Sequence, residues 1–202
     1  LYTMEKLQFA DGSQMVLDAN AWNVITGTAQ NDTLTGGATK DWIKGLEGND
    51  SLVGNAADDW LQGGAGTDTL RGGDGNDTLE GDDGDDTFRP EAGDDMVQGG
   101  RQLTQPWNYH SSSIDYDRLD YSAVTGSGIS LNLSTATVVG NATVGTDTYV
   151  GIDRIVGTSF KDTVTGVLPT GYGPTAQRNL AFWGYGGSDD ISQDSYGNKP
   201  WS

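Results

Sequence analysis

Across residues 25–100 the apolar side chains keep a period of nine: Leu34, Ile43, Leu52, Leu61, Leu70, Leu79, Phe88 and Val97. Two places before each stands an aspartate, Asp32, Asp41, Asp50, Asp59, Asp68, Asp77, Asp86 and Asp95. Five places before each aspartate stands a glycine, from Gly27 to Gly81, until Pro90 takes the eighth place. Each unit predicts a six-residue turn ending in Asp, then a three-residue strand whose middle side chain points inward. Glycine in the turn admits positive φ and lets carbonyl groups converge. Strands this short do not persist alone, so two units, 18 residues, are expected to make one coil of a flattened, right-handed, parallel β-solenoid. Successive coils would stack at about 4.8 Å, and the inward apolar column would be the entire core.

Outside the period the text changes. Residues 1–24 carry Met4, Leu7, Phe9, Met15, Val16 and Leu17, with Asp11-Gly12 between two short runs, and predict an N-terminal capping hairpin that would protect an open sheet edge. Residues 25–100 are the regular roll, and residues 101–116 an inserted, aromatic loop region with Pro106, Trp107, Tyr109 and His110. Residues 117–202 read as irregular β rungs and a C-terminal cap, with β-branched alternation at 129–133, 137–139 and 149–152. Two further units in the same register are expected there, one with Asp162 and Val164, the other with Asp189 and Ile191.

Composition alters the picture at one point, the corners of the coil. Of 29 acidic residues 25 are Asp, against 11 Lys plus Arg, for a formal charge of -18. Asp in excess of Glu marks a demand for short carboxylates, as in turns and calcium loops. Aspartates stacked one coil apart would repel unless a hard cation with oxygen ligands sat between them. Ca²⁺ tolerates the irregular shell that carboxylates and turn carbonyls provide, whereas Mg²⁺ demands a tight octahedron. The absence of Cys excludes a disulfide framework, a thiolate zinc site and a cysteine nucleophile, and a single His argues against a triad. No apolar run spans a bilayer, no leader opens the chain, and the acidic surface disfavours nucleic acid. The chain thus reads as a monomeric module cut from a longer polypeptide, without membrane insertion of its own.

The units Gly63-Gly64-Ala65-Gly66-Thr67-Asp68-Thr69-Leu70-Arg71 and Gly72-Gly73-Asp74-Gly75-Asn76-Asp77-Thr78-Leu79-Glu80 fill every fixed place of the nonapeptide G-G-x-G-x-D-x-U-x. In this they resemble the RTX (repeats-in-toxin) calcium-binding family, over residues 27–100. The resemblance implies an all-β parallel β-roll, exported through a type I secretion channel and folded by extracellular calcium. Residues 74–95 hold ten acidic residues and one Arg, so without calcium this stretch should be extended. Metal ligands are expected at Asp32, Asp41, Asp50, Asp59, Asp68, Asp77, Asp86, Asp95, Asp162 and Asp189, with about six Ca²⁺ held between turns one coil apart. Gln30, Thr39, Lys40, Asn55, Ala57, Pro90 and Glu91 depart from the pattern and weaken their turns.

Other residues admit a functional and a plain reading. Trp42 and Trp60 share one outward slot on adjacent coils, which suits an aromatic platform for sugar or peptide, as Trp107 in the insertion also does; packing under a covering segment is the favoured alternative. Thr33, Ser51, Thr69 and Thr87 form a solvated ladder beside Thr35, Val53, Arg71 and Arg89, too interrupted to order water as an ice-binding face would. His110, near Asp115, Asp117 and Asp120, could suggest an acid/base site, but with no pocket it reads as a surface-loop histidine; the three carboxylates could alternatively form a further calcium loop. The expected function is a non-enzymatic calcium-binding module of a secreted or cell-surface bacterial protein, an adhesin above all. The alternatives are a calcium-dependent carbohydrate- or peptide-binding domain, or an accessory module of a secreted hydrolase, lyase or epimerase.

Overall fold

In the computed structural model, described over residues 5–8, 14–17, 22–100, 116–141, 143–166, 180–184 and 186–191, the nine-residue spacing becomes a winding between two sheets. Strands β1 (Glu5–Gln8) and β2 (Gln14–Leu17) pair antiparallel in a sheet of their own, the hairpin expected from the sequence. The roll starts at β3 (Asn23–Thr26) and crosses to β4 (Thr33–Thr35). It continues through β5 (Asp41–Glu47), β6 (Ser51–Ala56), β7 (Trp60–Ala65), β8 (Thr69–Asp74), β9 (Thr78–Asp83), β10 (Thr87–Ala92) and β11 (Met96–Gly100). Odd-numbered strands stack in parallel in one sheet and even-numbered strands in the other. The pairing advances one coil of 18 residues at each step, Trp42 on Trp60 and Trp60 on Thr78, Leu52 on Leu70 and Leu70 on Phe88 along the other side.

From β6 to β10 the strands run six residues, twice the expected length, because pairing continues through the glycines. Alternation along each strand sends three residues inward: the aspartate or the residue's equivalent at its start, the apolar residue, and the glycine four places after the aspartate. Ile43, Leu52, Leu61, Leu70, Leu79, Phe88 and Val97 are fully buried, as the period predicts. The aspartates are buried too, none more than 3% exposed from Asp41 to Asp95. They are corner posts of the interior rather than surface turn residues.

Residues 101–115 lie outside the description, and with them Trp107, His110 and Asp115. Past them β12 (Arg118–Asp120) resumes the even sheet, pairing Thr87 with Arg118 and Phe88 with Leu119. The odd sheet then takes up an antiparallel meander, β13 (Ser130–Asn132), β14 (Thr137–Val139) and β15 (Thr146–Val150), a topology the alternating runs did not reveal. The outer strands of the meander rejoin the roll in parallel, β15 on β11 and β13 on the later β17 (Thr163–Thr165). Strand β16 (Arg154–Val156) and β18 (Ala181–Trp183) extend the even sheet, and β19 (Asp190–Ile191) pairs with β17, so both extra units fall in register. Leu119, Leu131, Val138, Ile155 and Val164 continue the core.

A core one side chain thick has no second layer to collapse into a void. Leu70→Ala should therefore lower the stability of the calcium-saturated protein by about 2–5 kcal/mol, read from urea unfolding. A loss under about 1 kcal/mol would mean that this column is not tightly packed.

Candidate metal centre

Each corner of the roll is stitched by two hydrogen-bond ladders that run in opposite directions. In the first, a backbone N–H donates to Oδ1 of the aspartate one coil later: Asp32 to Asp50 at 2.8 Å, Asp50 to Asp68 at 2.7 Å, Asp59 to Asp77 at 2.8 Å, Asp77 to Asp95 at 2.8 Å. In the second, an Asn or Asp just before the aspartate accepts from the N–H one coil later. Asn31 accepts from Asn49 at 2.9 Å, Asn49 from Thr67 at 2.9 Å, Asp58 from Asn76 at 3.1 Å and Asn76 from Asp94 at 3.0 Å. Asx residues in both places are therefore structural, since each satisfies an amide that would otherwise be orphaned.

The second carboxylate oxygen has a different fate. Oδ2 of Asp50, Asp59, Asp68, Asp77 and Asp95 is buried with no hydrogen-bond donor. It folds back over the glycine five places earlier: a Cβ at Gly63 would collide with Asp68 Oδ2 and lie 2.9 Å from the Gly81 carbonyl oxygen of the next coil. Gly63 is thus required for space and not for positive φ, which corrects the role first expected of this glycine. Positive φ belongs to the residues four and two places before the aspartate, as at Gly64 (115°) and Gly66 (143°) before Asp68. There the carbonyls of Leu46 and Gly48 point down the stack onto the Cα atoms of Gly64 and Gly66, leaving no room for a side chain.

Each such corner joins a buried carboxylate oxygen without a donor to backbone carbonyl oxygens. An ionised carboxylate buried in this way is costly unless a cation compensates it. Among the described residues no group of three His, Cys, Asp or Glu side chains could hold a metal, so a cation would have to draw on backbone oxygens, which suits Ca²⁺ and its hard, irregular shell. The donor set fits calcium. Asp50, Asp59, Asp68, Asp77 and Asp95 would supply the carboxylates, and Asp86 stands in the same place of the register, Oδ1 accepting from the Asp68 N–H at 2.9 Å.

The remaining predicted residues are placed as follows. Asp32, Asp41, Asp162 and Asp189 lie in the same ladders; Asp189 Oδ1 accepts from the Asp162 N–H at 3.0 Å. Lys40 reaches Asp58 at 2.8 Å and holds its carboxyl below the usual range. The ladders also recruit Asp147, which was not singled out as a ligand, and Asp117, expected instead in a loop with Asp115 and Asp120, while Asp120 falls outside them. Asp117 Oδ1 accepts from the Asp86 N–H at 3.1 Å, across the insertion, and Asp147 Oδ1 from the Asp95 N–H at 3.2 Å. Gly145-Thr146-Asp147 repeats Gly66-Thr67-Asp68, the signal that could have found it. Asp120 instead meets Arg118 at 2.9 Å and Arg89 at 3.3 Å, apart from any calcium loop with Asp117; burial alone would raise its pKa, but Ser122 and the two arginines hold it low. Trp42 and Trp60 stack with centroids 4.8 Å apart and planes 8° apart, while the Lys44 ammonium lies 3.5 Å from the Trp42 centroid. Trp42 is therefore flanked by Trp60 and Lys44 instead of offering an open ring face. Arg71 pairs with Glu91 at 2.5 Å on the solvated ladder.

A family model described as the RTX calcium-binding nonapeptide repeat (4 copies) matches residues 20–52, 35–70, 45–79, 53–88 and 62–97. No curated protein matches the chain.

Burial, reinforced by the neighbouring aspartates, pushes the carboxyls of Asp59 and Asp68 up to about 6 and those of Asp77 and Asp95 up to about 7, against backbone hydrogen bonds that lower them. The metal-free fold thus holds protons more tightly than the unfolded chain does. Its stabilisation by these groups is complete below about pH 4 and is lost as pH rises through 6 to 7. In EDTA, far-UV circular dichroism should therefore gain strand signal on going from pH 8 to pH 5. A signal that falls or stays level over that interval would contradict this assignment.

Proposed function

Because residues 20–97 are RTX calcium-binding nonapeptide repeats, we propose that the chain is a calcium-gated structural module of an exported bacterial protein, an adhesin in the first instance, with no catalysis of its own. The observation that carries the reading is the set of buried Oδ2 atoms without donors at Asp50, Asp59, Asp68, Asp77 and Asp95. A cation at each of these corners, and at Asp86, makes six Ca²⁺ and reduces the formal charge from -18 to about -6. Binding to the folded chain alone converts calcium affinity into folding free energy. Extracellular modules of this kind bind at roughly 10⁻⁴ to 10⁻³ M, so the chain stays open where free calcium is low and closes outside the cell. Secretion before folding follows from that threshold, because an open, highly acidic chain can thread a channel that a stacked roll cannot.

What supports a structural role over a catalytic one is how the buried carboxylates are used. They bridge one coil to the next through paired ladders, and calcium completes the bridge. The test is far-UV circular dichroism of the whole chain in EDTA and in millimolar calcium, with the ions counted by titration against a chromophoric chelator. At pH 8 strand signal should appear only with calcium, and about six ions should bind. Identical spectra in the two conditions would end the proposal.

A further inference from the structure

Not every ladder carboxylate has an Oδ2 without a donor. Asp32 Oδ2 accepts from the Thr28 N–H at 2.6 Å and its hydroxyl at 2.9 Å, and Asp41 Oδ2 accepts from the Gly37 N–H at 2.6 Å. At the other end of the repeats, Asp162 Oδ2 accepts from the Thr158 N–H at 2.9 Å while its Oδ1 takes the Thr158 hydroxyl at 2.9 Å and the Ile129 N–H at 2.8 Å. Asp147 is closed differently, by the hydroxyl of the buried Tyr121 at 2.6 Å on Oδ2.

The backbone separates the same two groups independently. Before Asp50, Asp59, Asp68, Asp77, Asp86 and Asp95 both the fourth and the second residue are left-handed, even where they are not glycine: Leu46 (88°), Asn55 (81°), Ala57 (79°), Asp82 (74°) and Glu91 (76°). Before Asp32, Asp41 and Asp162 neither place is left-handed, and the N–H of the fourth residue turns to the carboxylate instead. Before Asp147 only Gly145 is left-handed. A carboxylate oxygen that already accepts one or two short hydrogen bonds gains little from a cation and would have to surrender those donors to bind one. At the Asp41 corner the Lys40 ammonium, fixed on Asp58 at 2.8 Å, adds a positive charge that opposes a second one.

We propose that the corners at Asp32, Asp41, Asp147 and Asp162 take no calcium, and that Thr28, Gly37, Tyr121 and Thr158 supply donors in place of the ion. The donor-free run is then preceded in both sheets by closed corners, Asp32 and Asp41, and followed on the odd side by Asp147, which Tyr121 closes. This rests on the reading that donor-free corners bind calcium, and it narrows the family match, which includes the first two turns.

The experiment is diffraction from crystals of the whole chain grown with Tb³⁺, whose anomalous signal reports each occupied corner. Peaks are expected beside Asp68 and Asp77 and absent at Asp32, Asp41, Asp147 and Asp162. A peak at any of these four overturns the assignment of that corner, whereas no peaks at Asp68 and Asp77 would overturn the calcium reading itself. In solution, Tyr121→Phe should lower the urea midpoint of the calcium-saturated protein, because Asp147 Oδ2 is then left with neither a donor nor an ion. An unchanged midpoint overturns the role given to Tyr121.

Discussion

Everything in this roll depends on how a carboxylate can be kept in the interior. Each coil buries an aspartate at both corners, directly beneath another of the same charge. Water cannot solvate these groups, and Coulomb repulsion between neighbours a coil apart is not screened as it would be at the surface. One oxygen is satisfied by the amide of the adjacent coil, which also sets the register. The other must find a proton, a donor or a cation. These three solutions correspond to acid conditions, to corners such as Asp162 with Thr158, and to calcium.

Glycine follows from the same constraint. At Gly63 the carboxylate and a neighbouring carbonyl occupy the volume of a side chain, and at Gly64 and Gly66 a carbonyl from the coil above does so. The high glycine content and small apolar content are therefore one property: the interior is built of carboxylates, carbonyl groups and a single hydrophobic column. Ordering such a chain costs conformational entropy that so thin a core offsets poorly, so any ion bound by the folded chain alone adds directly to its stability.

Much of this was legible because the signal repeats. Eight aspartates and eight apolar residues in fixed phase specify the winding, the inward column and the coil length before any coordinate is known. The phase is lost where the chain leaves the roll and returns. Asp117 comes 31 residues after Asp86, and Asp147 comes 52 after Asp95, so neither falls on the nine-residue grid although both occupy ladder positions. The meander was illegible for a related reason: alternation reveals strands but not the direction in which neighbours run. The distinction between donor-free and donor-closed corners lies in the sign of φ at two positions. Non-glycine residues such as Leu46 and Ala57 adopt positive values there under the constraint of the stack, against their own preference.

The meander sits in one sheet only. Between β11 and β17 the odd sheet passes through β15, β14 and β13, while between β10 and β16 the even sheet passes only through β12. From the coil of β10 and β11 to the coil of β16 and β17, the odd sheet thus gains two strands, roughly 10 Å of extra width on one side at the usual strand spacing. The interior beyond the repeats is therefore wider on the odd side, and Leu131 and Val138 of the meander, both fully buried, fill the space that the two added strands enclose.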